Sequence, residues 1–184
     1  MNSILNYKNK ILEIKKKELF LRCLKPKDIS EEYIDWLNDI EITRYTEQRF
    51  YKHGYETTQS YIEKKYVSNL DLLFGIFLKS THIGNIKLGP INFLHKNSEI
   101  SFFIGKKNFM NKGIMTQVIN YLVNFSFNNL NLEKITAGCY SNNLNSQKLL
   151  LKCGFIQEGK KKKQVIYQKK RIDVYIYGIL KNEY

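Results

Sequence analysis

Residue types that carry much of protein chemistry are sparse in this chain of 184 residues. Cysteine occurs three times (Cys23, Cys139, Cys153), an odd number without CxxC spacing. That argues against a disulfide framework or a zinc site, and the default compartment is a reducing cytoplasm. His53, His82 and His95 are scattered without ligand spacing, so no metal is expected. Arginine is confined to Arg22, Arg44, Arg49 and Arg171. Proteins that read bases spend arginine on guanine edges, so nucleic acid is disfavoured as a partner. No apolar run approaches the roughly 20 residues of a membrane span, which argues against a membrane partner. The first ten residues show no apolar stretch followed by a small-residue cleavage site. Repeats, low-complexity tracts and linkers are missing too.

What remains is 43% hydrophobic and 14% aromatic, enough for one domain with a real core. The net charge of +13 is carried overwhelmingly by lysine. It could draw a polyanion, but compositional bias is the simpler reading. Lys160 to Lys163 reads as a solvated loop or hairpin tip. Residues 1–17 are polar, Lys-rich and weakly patterned, and read as an N-terminal extension, with the domain proper at 18–184.

Periodicity orders the rest. Leu19, Leu21 and Cys23 alternate with Phe20, Arg22 and Leu24, as in a strand. Pro26-Lys27-Asp28 turns the chain, and Asp28 or Ser30 can cap a helix through Tyr33, Trp36 and Leu37. A second helix is expected from Thr57 to Tyr66. Strands follow at Leu72–Leu78, Ile83–Leu88 and Glu99–Ile104, with a turn at Thr81-His82-Ile83-Gly84. Ile114, Val118, Tyr121, Leu122 and Phe125 then share one helical face, a core stripe rather than a cofactor box. A strand at Lys134–Cys139, a short helix at Ser146–Lys152 and a last strand at Ile172–Leu180 complete an α/β domain with a mixed sheet.

Two segments stand out for chemistry. The strand ending at Ile104 empties through Gly105-Lys106-Lys107-Asn108-Phe109-Met110-Asn111-Lys112-Gly113 into a helix. A loop of that kind offers backbone N–H groups and a positive dipole end together, which suits a pyrophosphate. Downstream lies Asn143-Leu144-Asn145-Ser146-Gln147-Lys148-Leu149-Leu150-Leu151-Lys152-Cys153-Gly154-Phe155.

With both segments in order, the chain resembles a GNAT-superfamily N-acetyltransferase over essentially its whole length. The family's donor loop, Q/R-x-x-G-x-G/A, falls on Met110-Asn111-Lys112-Gly113-Ile114-Met115, where only Gly113 is kept. Met115-Thr116 is similar to the variant in ribosomal-protein N-terminal acetyltransferases. The pattern N-x-x-S-x-x-L-L-x-K-x-G-F is met by Asn143, Ser146, Leu149, Leu150, Lys152, Gly154 and Phe155. Tyr33-Ile34-Asp35-Trp36-Leu37-Asn38-Asp39 and Thr43 to Arg49 resemble members that acetylate nucleotide-linked amino sugars of the pseudaminic and legionaminic routes.

The resemblance implies a splayed, mostly antiparallel sheet flanked by helices, acetyl-CoA as acyl donor and no metal. The activity implied is direct acetyl transfer to a primary amine, that of a nucleotide-linked amino sugar first and a protein N-terminus second. A non-catalytic acyl-CoA or nucleic-acid module is the reading from another class, and a homodimer is admitted. Phe102, Phe103 and Ile104 would face the thioester with their backbone. Lys107, Met110, Asn111, Lys112, Gly113, Ile114, Met115 and Thr116 would hold the pyrophosphate, and Asn143 and Ser146 the pantetheine side. Glu99 is a candidate general base if buried, or else a plain surface residue; Glu47 is its rival. Ser146 and Tyr140 compete as proton donor to the thiolate, Ser146 with a simple helix-cap role as its alternative. Trp36, Arg44, Tyr45, Glu47 and Arg49 are placed on the acceptor side, the arginines for phosphates and Trp36 also as a core anchor.

Overall fold

The computed structural model describes residues 4–16 and 18–184. Eight strands form one sheet: β1 (Ile11–Lys15), β2 (Leu19–Cys23), β3 (Leu72–Leu78), β4 (Thr81–Leu88), β5 (Asn97–Ile104), β6 (Lys134–Tyr140), β7 (Ile156–Tyr167) and β8 (Lys170–Leu180). Their spatial order is β1-β2-β3-β4-β5-β6-β8-β7. Every neighbouring pair is antiparallel except β5 and β6, which run parallel.

Helices cover both faces because the central strands are apolar on both. In β3, Phe74 and Ile76 join the larger core while Leu73 and Phe77 face a second cluster. The larger core lies under α4 (Ile114–Asn129), whose Val118, Ile119 and Leu122 are fully buried. Each such side chain contributes about 2 kcal/mol. Tyr121, expected on the same stripe, is only partly buried. The second cluster is built by α1 (Glu31–Asn38), with Tyr33, Trp36 and Leu37, and by Ile62 of α3 (Tyr55–Val67). A short α2 (Ile40–Thr43) follows α1 directly. Between α2 and α3 lies a 3-10 turn, Glu47–Phe50.

Three expectations need correcting. Residues 1–17 are not a plain extension: Ile4 and Leu12 are buried in the larger core, and residues 11–15 pair with β2. Residues 1–3 and Lys17 lie outside the described residues. The 81–84 turn falls instead at Lys79 and Ser80, since Thr81 and His82 already pair with Leu78 and Phe77. Lys160 to Lys163 is neither loop nor hairpin tip but part of β7, with a bulge between Lys161 and Val165; Gln168 and Lys169 make the tip. β7 is an edge strand wet on most of its length, and lysines there discourage pairing with another chain.

Candidate active site

The parallel ladder between β5 and β6 is only three pairs long: Asn97 with Lys134, Ser98 with Ile135, Glu99 with Thr136. Beyond it β5 stays with β4 from Ile100 to Ile104, while β6 follows β8 from Ala137 to Tyr140. Two facing strand edges, residues 100–104 and 137–140, therefore diverge without a common ladder. Their inward amides and carbonyls need partners, and an extended amide-bearing chain such as pantetheine can supply them. The side chains of Phe102 and Ile104 pack on the larger core and Phe103 on the second cluster. What these three residues offer the opening is backbone.

At the end of β5 the amides of Gly105 and Lys106 both donate to the Ile83 carbonyl, at 2.9 and 3.2 Å. Residue 105 must be glycine because a Cβ there would overlap the Trp36 indole. A 3-10 turn, Lys107–Phe109, leads to Met110, and Asn111 and Gly113 then adopt left-handed backbone (φ 59° and 72°). Gly113 is the N-cap of α4 and gives no side-chain cap, so the first-turn amides are left for an external acceptor. A Cβ on Gly113 would meet nothing within 4 Å; conformation, not crowding, calls for glycine there. Ile114 and Met115 are buried, and the Thr116 carbonyl lies 4.0 Å from the Cys153 sulfur. The lysines are partly engaged: Lys106 pairs with Glu32 at 2.9 Å, Lys107 with Asp39 at 2.6 Å, and Lys112 lies 5.6 Å above the Phe109 ring. The hydrogen bond from Lys107 holds the Asp39 carboxyl below its usual range.

β6 runs into α5 (Leu144–Lys152), whose cap is Asn143: its side chain accepts from the Ser146 amide at 3.3 Å. The Cys139 thiol donates to the carbonyls of Tyr140 and Asn143, each at 3.6 Å; burial pushes its pKa up, and the nearby Ser146 hydroxyl opposes that. Gln147 Nε2 donates to the carbonyls of Tyr140 and Ser141, fixing the turn.

The side-chain chemistry gathers at Tyr140. This residue is buried, and its phenol donates to Glu47 Oε1 at 2.7 Å while accepting from Arg49 Nη1 at 3.1 Å. Burial, reinforced by Glu47 and opposed by Arg49, raises its pKa. Tyr45 packs edge-on to Tyr140 and stacks on Tyr167 of β7, with centroids 5.4 Å apart. The structure thus brings Tyr140, Glu47, Arg49 and Tyr45 together.

Trp36 and Glu99 lie apart from that group, whereas Arg44 stays against it, its guanidinium 5.1 Å from the Tyr45 ring centre. Trp36 is buried beside Tyr33 and His82, as a core anchor. Arg44 faces Glu41 at 3.3 Å. Glu99 sits at the fork of β5 and β6 but is exposed, so the burial on which its role as base depended is not found. Two features escaped the sequence reading. One is Tyr167, whose signal is an aromatic beside a Lys-rich hairpin tip. The other is the run of seven carboxylates against one arginine in residues 28–47 of an otherwise basic chain. Among the described residues no group of three or more His, Cys, Asp or Glu could hold a metal ion, and no helix is long and apolar enough to cross a membrane.

The acetyltransferase (GNAT) domain profile matches residues 18–156. The chain belongs to the GNAT acetyltransferase family. It is therefore an acetyl-CoA-dependent N-acetyltransferase of GNAT type. The uncharacterized N-acetyltransferase YoaA of Bacillus subtilis is 29% identical over 175 residues, covering 89% of this chain and 93% of YoaA. The uncharacterized N-acetyltransferase p20 of Bacillus licheniformis is 32% identical over 113 residues, 60% of this chain; the match spans only 63% of p20. Among solved structures, the ribosomal L7/L12 alpha-N-protein acetyltransferase RimL, in complex with coenzyme A, superposes with a TM-score of 0.85 at 17% identity, covering 93% of this chain and 98% of RimL. At that identity the likeness speaks for the fold alone.

Proposed function

We propose that this GNAT acetyltransferase moves the acetyl group of acetyl-CoA onto a primary amine borne by a cationic acceptor, in the first place the N-terminus of a basic peptide. The observation that carries this reading is the Glu47–Tyr140 pair beside the run of carboxylates on α1 and α2. A groove between α1 and the donor loop is lined by Glu32, Asp35 and Asp39 as well as Lys106 and Lys107. Glu32 and Asp39 are paired with Lys106 and Lys107, so Asp35 leaves this lining one negative charge in excess, which favours an ammonium over a nucleotide diphosphate. The amino-sugar reading leaned on two arginines for phosphate. Arg49 donates instead to the carbonyls of Arg44, Thr46 and Ile166, besides the Tyr140 phenol, and Arg44 faces a carboxylate. RimL is named for a protein N-terminus, and a further structural neighbour is a spermidine N-acetyltransferase from Vibrio cholerae, so both acceptor kinds are cationic amines.

In this reading the donor lies in the fork, its pyrophosphate at Gly113 and the start of α4, its pantetheine amides between residues 100–104 and 137–140. Glu47 Oε1 holds the Tyr140 proton, leaving Oε2 to take a proton from the acceptor ammonium. The neutral nitrogen then attacks the thioester carbon. Backbone amides of the β5 edge stabilise the oxyanion. As the tetrahedral centre collapses, the C–S bond breaks and the C–N bond stays. The nitrogen sheds its second proton to solvent, and the departing thiolate is protonated by Ser146 or by Tyr140, whose hydrogen Glu47 holds only weakly once it has itself taken the ammonium's proton. Products are an amide, free coenzyme A and one proton.

The test is thiol release from acetyl-CoA against basic peptides, spermidine, aminoglycosides and nucleotide-linked amino sugars. Turnover should concentrate on the peptides and fall as salt is added. Turnover on the amino sugars alone would remove the cationic-acceptor reading, and silence on every amine despite coenzyme A binding would remove the acyl-transfer reading itself.

A further inference from the structure

Arg49 makes more hydrogen bonds than a residue waiting for a ligand should. One nitrogen, Nη1, spreads its two hydrogens over three acceptors, one of them shared: the Arg44 carbonyl at 2.8 Å, the Thr46 carbonyl at 3.2 Å and the Tyr140 phenol at 3.1 Å. The other, Nη2, donates to the Ile166 carbonyl at 2.9 Å, in the β7–β8 hairpin. Its guanidinium plane lies 4.3 Å from the Phe50 ring and 5.1 Å from the Tyr140 ring. The fork therefore ties three separate pieces of chain to one point: the turn that carries Glu47, the end of β6, and the hairpin beyond it. A lysine cannot reproduce this, because one ammonium has no planar fork.

The consequence concerns a single proton. A phenol free to rotate can donate to Glu47 or to any passing acceptor. With Arg49 filling one lone pair of the Tyr140 oxygen, the resting hydroxyl hydrogen is directed to Glu47 Oε1, and Glu47 is held by that one oxygen. We infer that Arg49 is a positioning residue for acetyl transfer: it fixes the Tyr140–Glu47 pair and closes the hairpin over the same end of the fork, and it does not bind the phosphates of a substrate. The inference rests on the acyl-transfer reading of the fork. Other charged or titratable neighbours of Tyr140 are Glu47 and the phenol of Tyr45, itself stacked on Tyr167.

Arg49→Gln and Arg49→Lys answer this with steady-state kinetics on the best amine found. Arg49→Gln should lower kcat by about 30-fold, less than the roughly 100-fold or more of an acid–base group lost outright because here it is only mis-set, at an unchanged KM for acetyl-CoA. In a Tyr140→Phe background the same change should cost less than about 3-fold, since residues acting as one unit are not additive. Arg49→Lys should recover part of kcat, and a melting temperature within about 3 °C of the parent would show that lost rate is not lost fold. A kcat equal to the parent's in Arg49→Gln would overturn the inference. So would a loss that multiplies in full with Tyr140→Phe, or one that appears only as a raised KM for a nucleotide-linked acceptor. Should Arg49→Gln not fold, the Arg49→Lys pair of measurements decides by the same criteria. If the parent turns over no amine, the reading beneath fails and takes this with it; if the parent is active and the variants match it, only the role of Arg49 falls.

Discussion

Two arms leave the same three-pair ladder and end in opposite ways. β5 runs into a helix capped by Gly113, with left-handed backbone and no capping side chain, and the side chains of Phe102, Phe103 and Ile104 are spent on the cores. β6 runs into a helix capped by the Asn143 side chain and carries Tyr140, tied to Glu47 and Arg49. One arm presents backbone, which is the same whatever the sequence; the other presents side chains. The first suits a partner of constant shape, the second a variable acceptor. In the proposed reading, that division lets a loop that keeps only Gly113 of the family pattern hold the donor, because a positive φ and open amides need few particular side chains.

If the arms divide labour, damage to each should read out differently. The largest effect is expected on the β6 side: Tyr140→Phe should lower kcat by about 100-fold, as for loss of a positioned proton donor, with donor KM little changed. Because burial and Glu47 raise the Tyr140 pKa and the phenol acts in its protonated form, activity should hold on the alkaline side to above pH 10, the ordinary phenol value, and this limb should vanish from the residual rate of Tyr140→Phe. On the β5 side, Gly113→Ala forces a Cβ into left-handed backbone at a cost of about 1 kcal/mol. Donor affinity should fall several-fold by calorimetry, with kcat at saturating donor nearly kept. Smaller still, Asn143→Ala should remove a cap worth about 1 kcal/mol, seen as a lower denaturation midpoint. Least of all, Lys107→Gln breaks an exposed pair with Asp39 worth under about 1 kcal/mol, and should cost stability almost nothing while making donor binding less sensitive to salt. A kcat loss in Gly113→Ala matching that of Tyr140→Phe would erase the distinction.

Much of this was legible in the residues, for stated reasons. α4 announced itself because its apolar positions follow the helical period and it is buried on that face. The Asn143–Phe155 segment was readable because a cap, an amphipathic turn and a closing glycine are local. β1 was not: Ile11-Leu12-Glu13-Ile14-Lys15 is short, lies among flanking lysines and shows little alternation, and only the folded sheet reveals that Leu12 is inside. β7 hid its strand for the same reason, wet along most of its length. Arg49 was the hardest. Its four acceptors come from residues 44, 46, 140 and 166, and no local pattern announces that a cation will meet three carbonyls and a phenol instead of a phosphate.

Gly105 has a consequence for anyone altering this enzyme. The indole of Trp36 occupies the space where a methyl at 105 would go, so helix α1 rests directly on the first residue of the donor loop. A substitution as mild as alanine there would lift α1 off its seat while scarcely touching the glycine's own neighbours in sequence. In the proposed reading, where α1 borders the acceptor and the loop holds the donor, the two cannot be altered independently and are to be varied together.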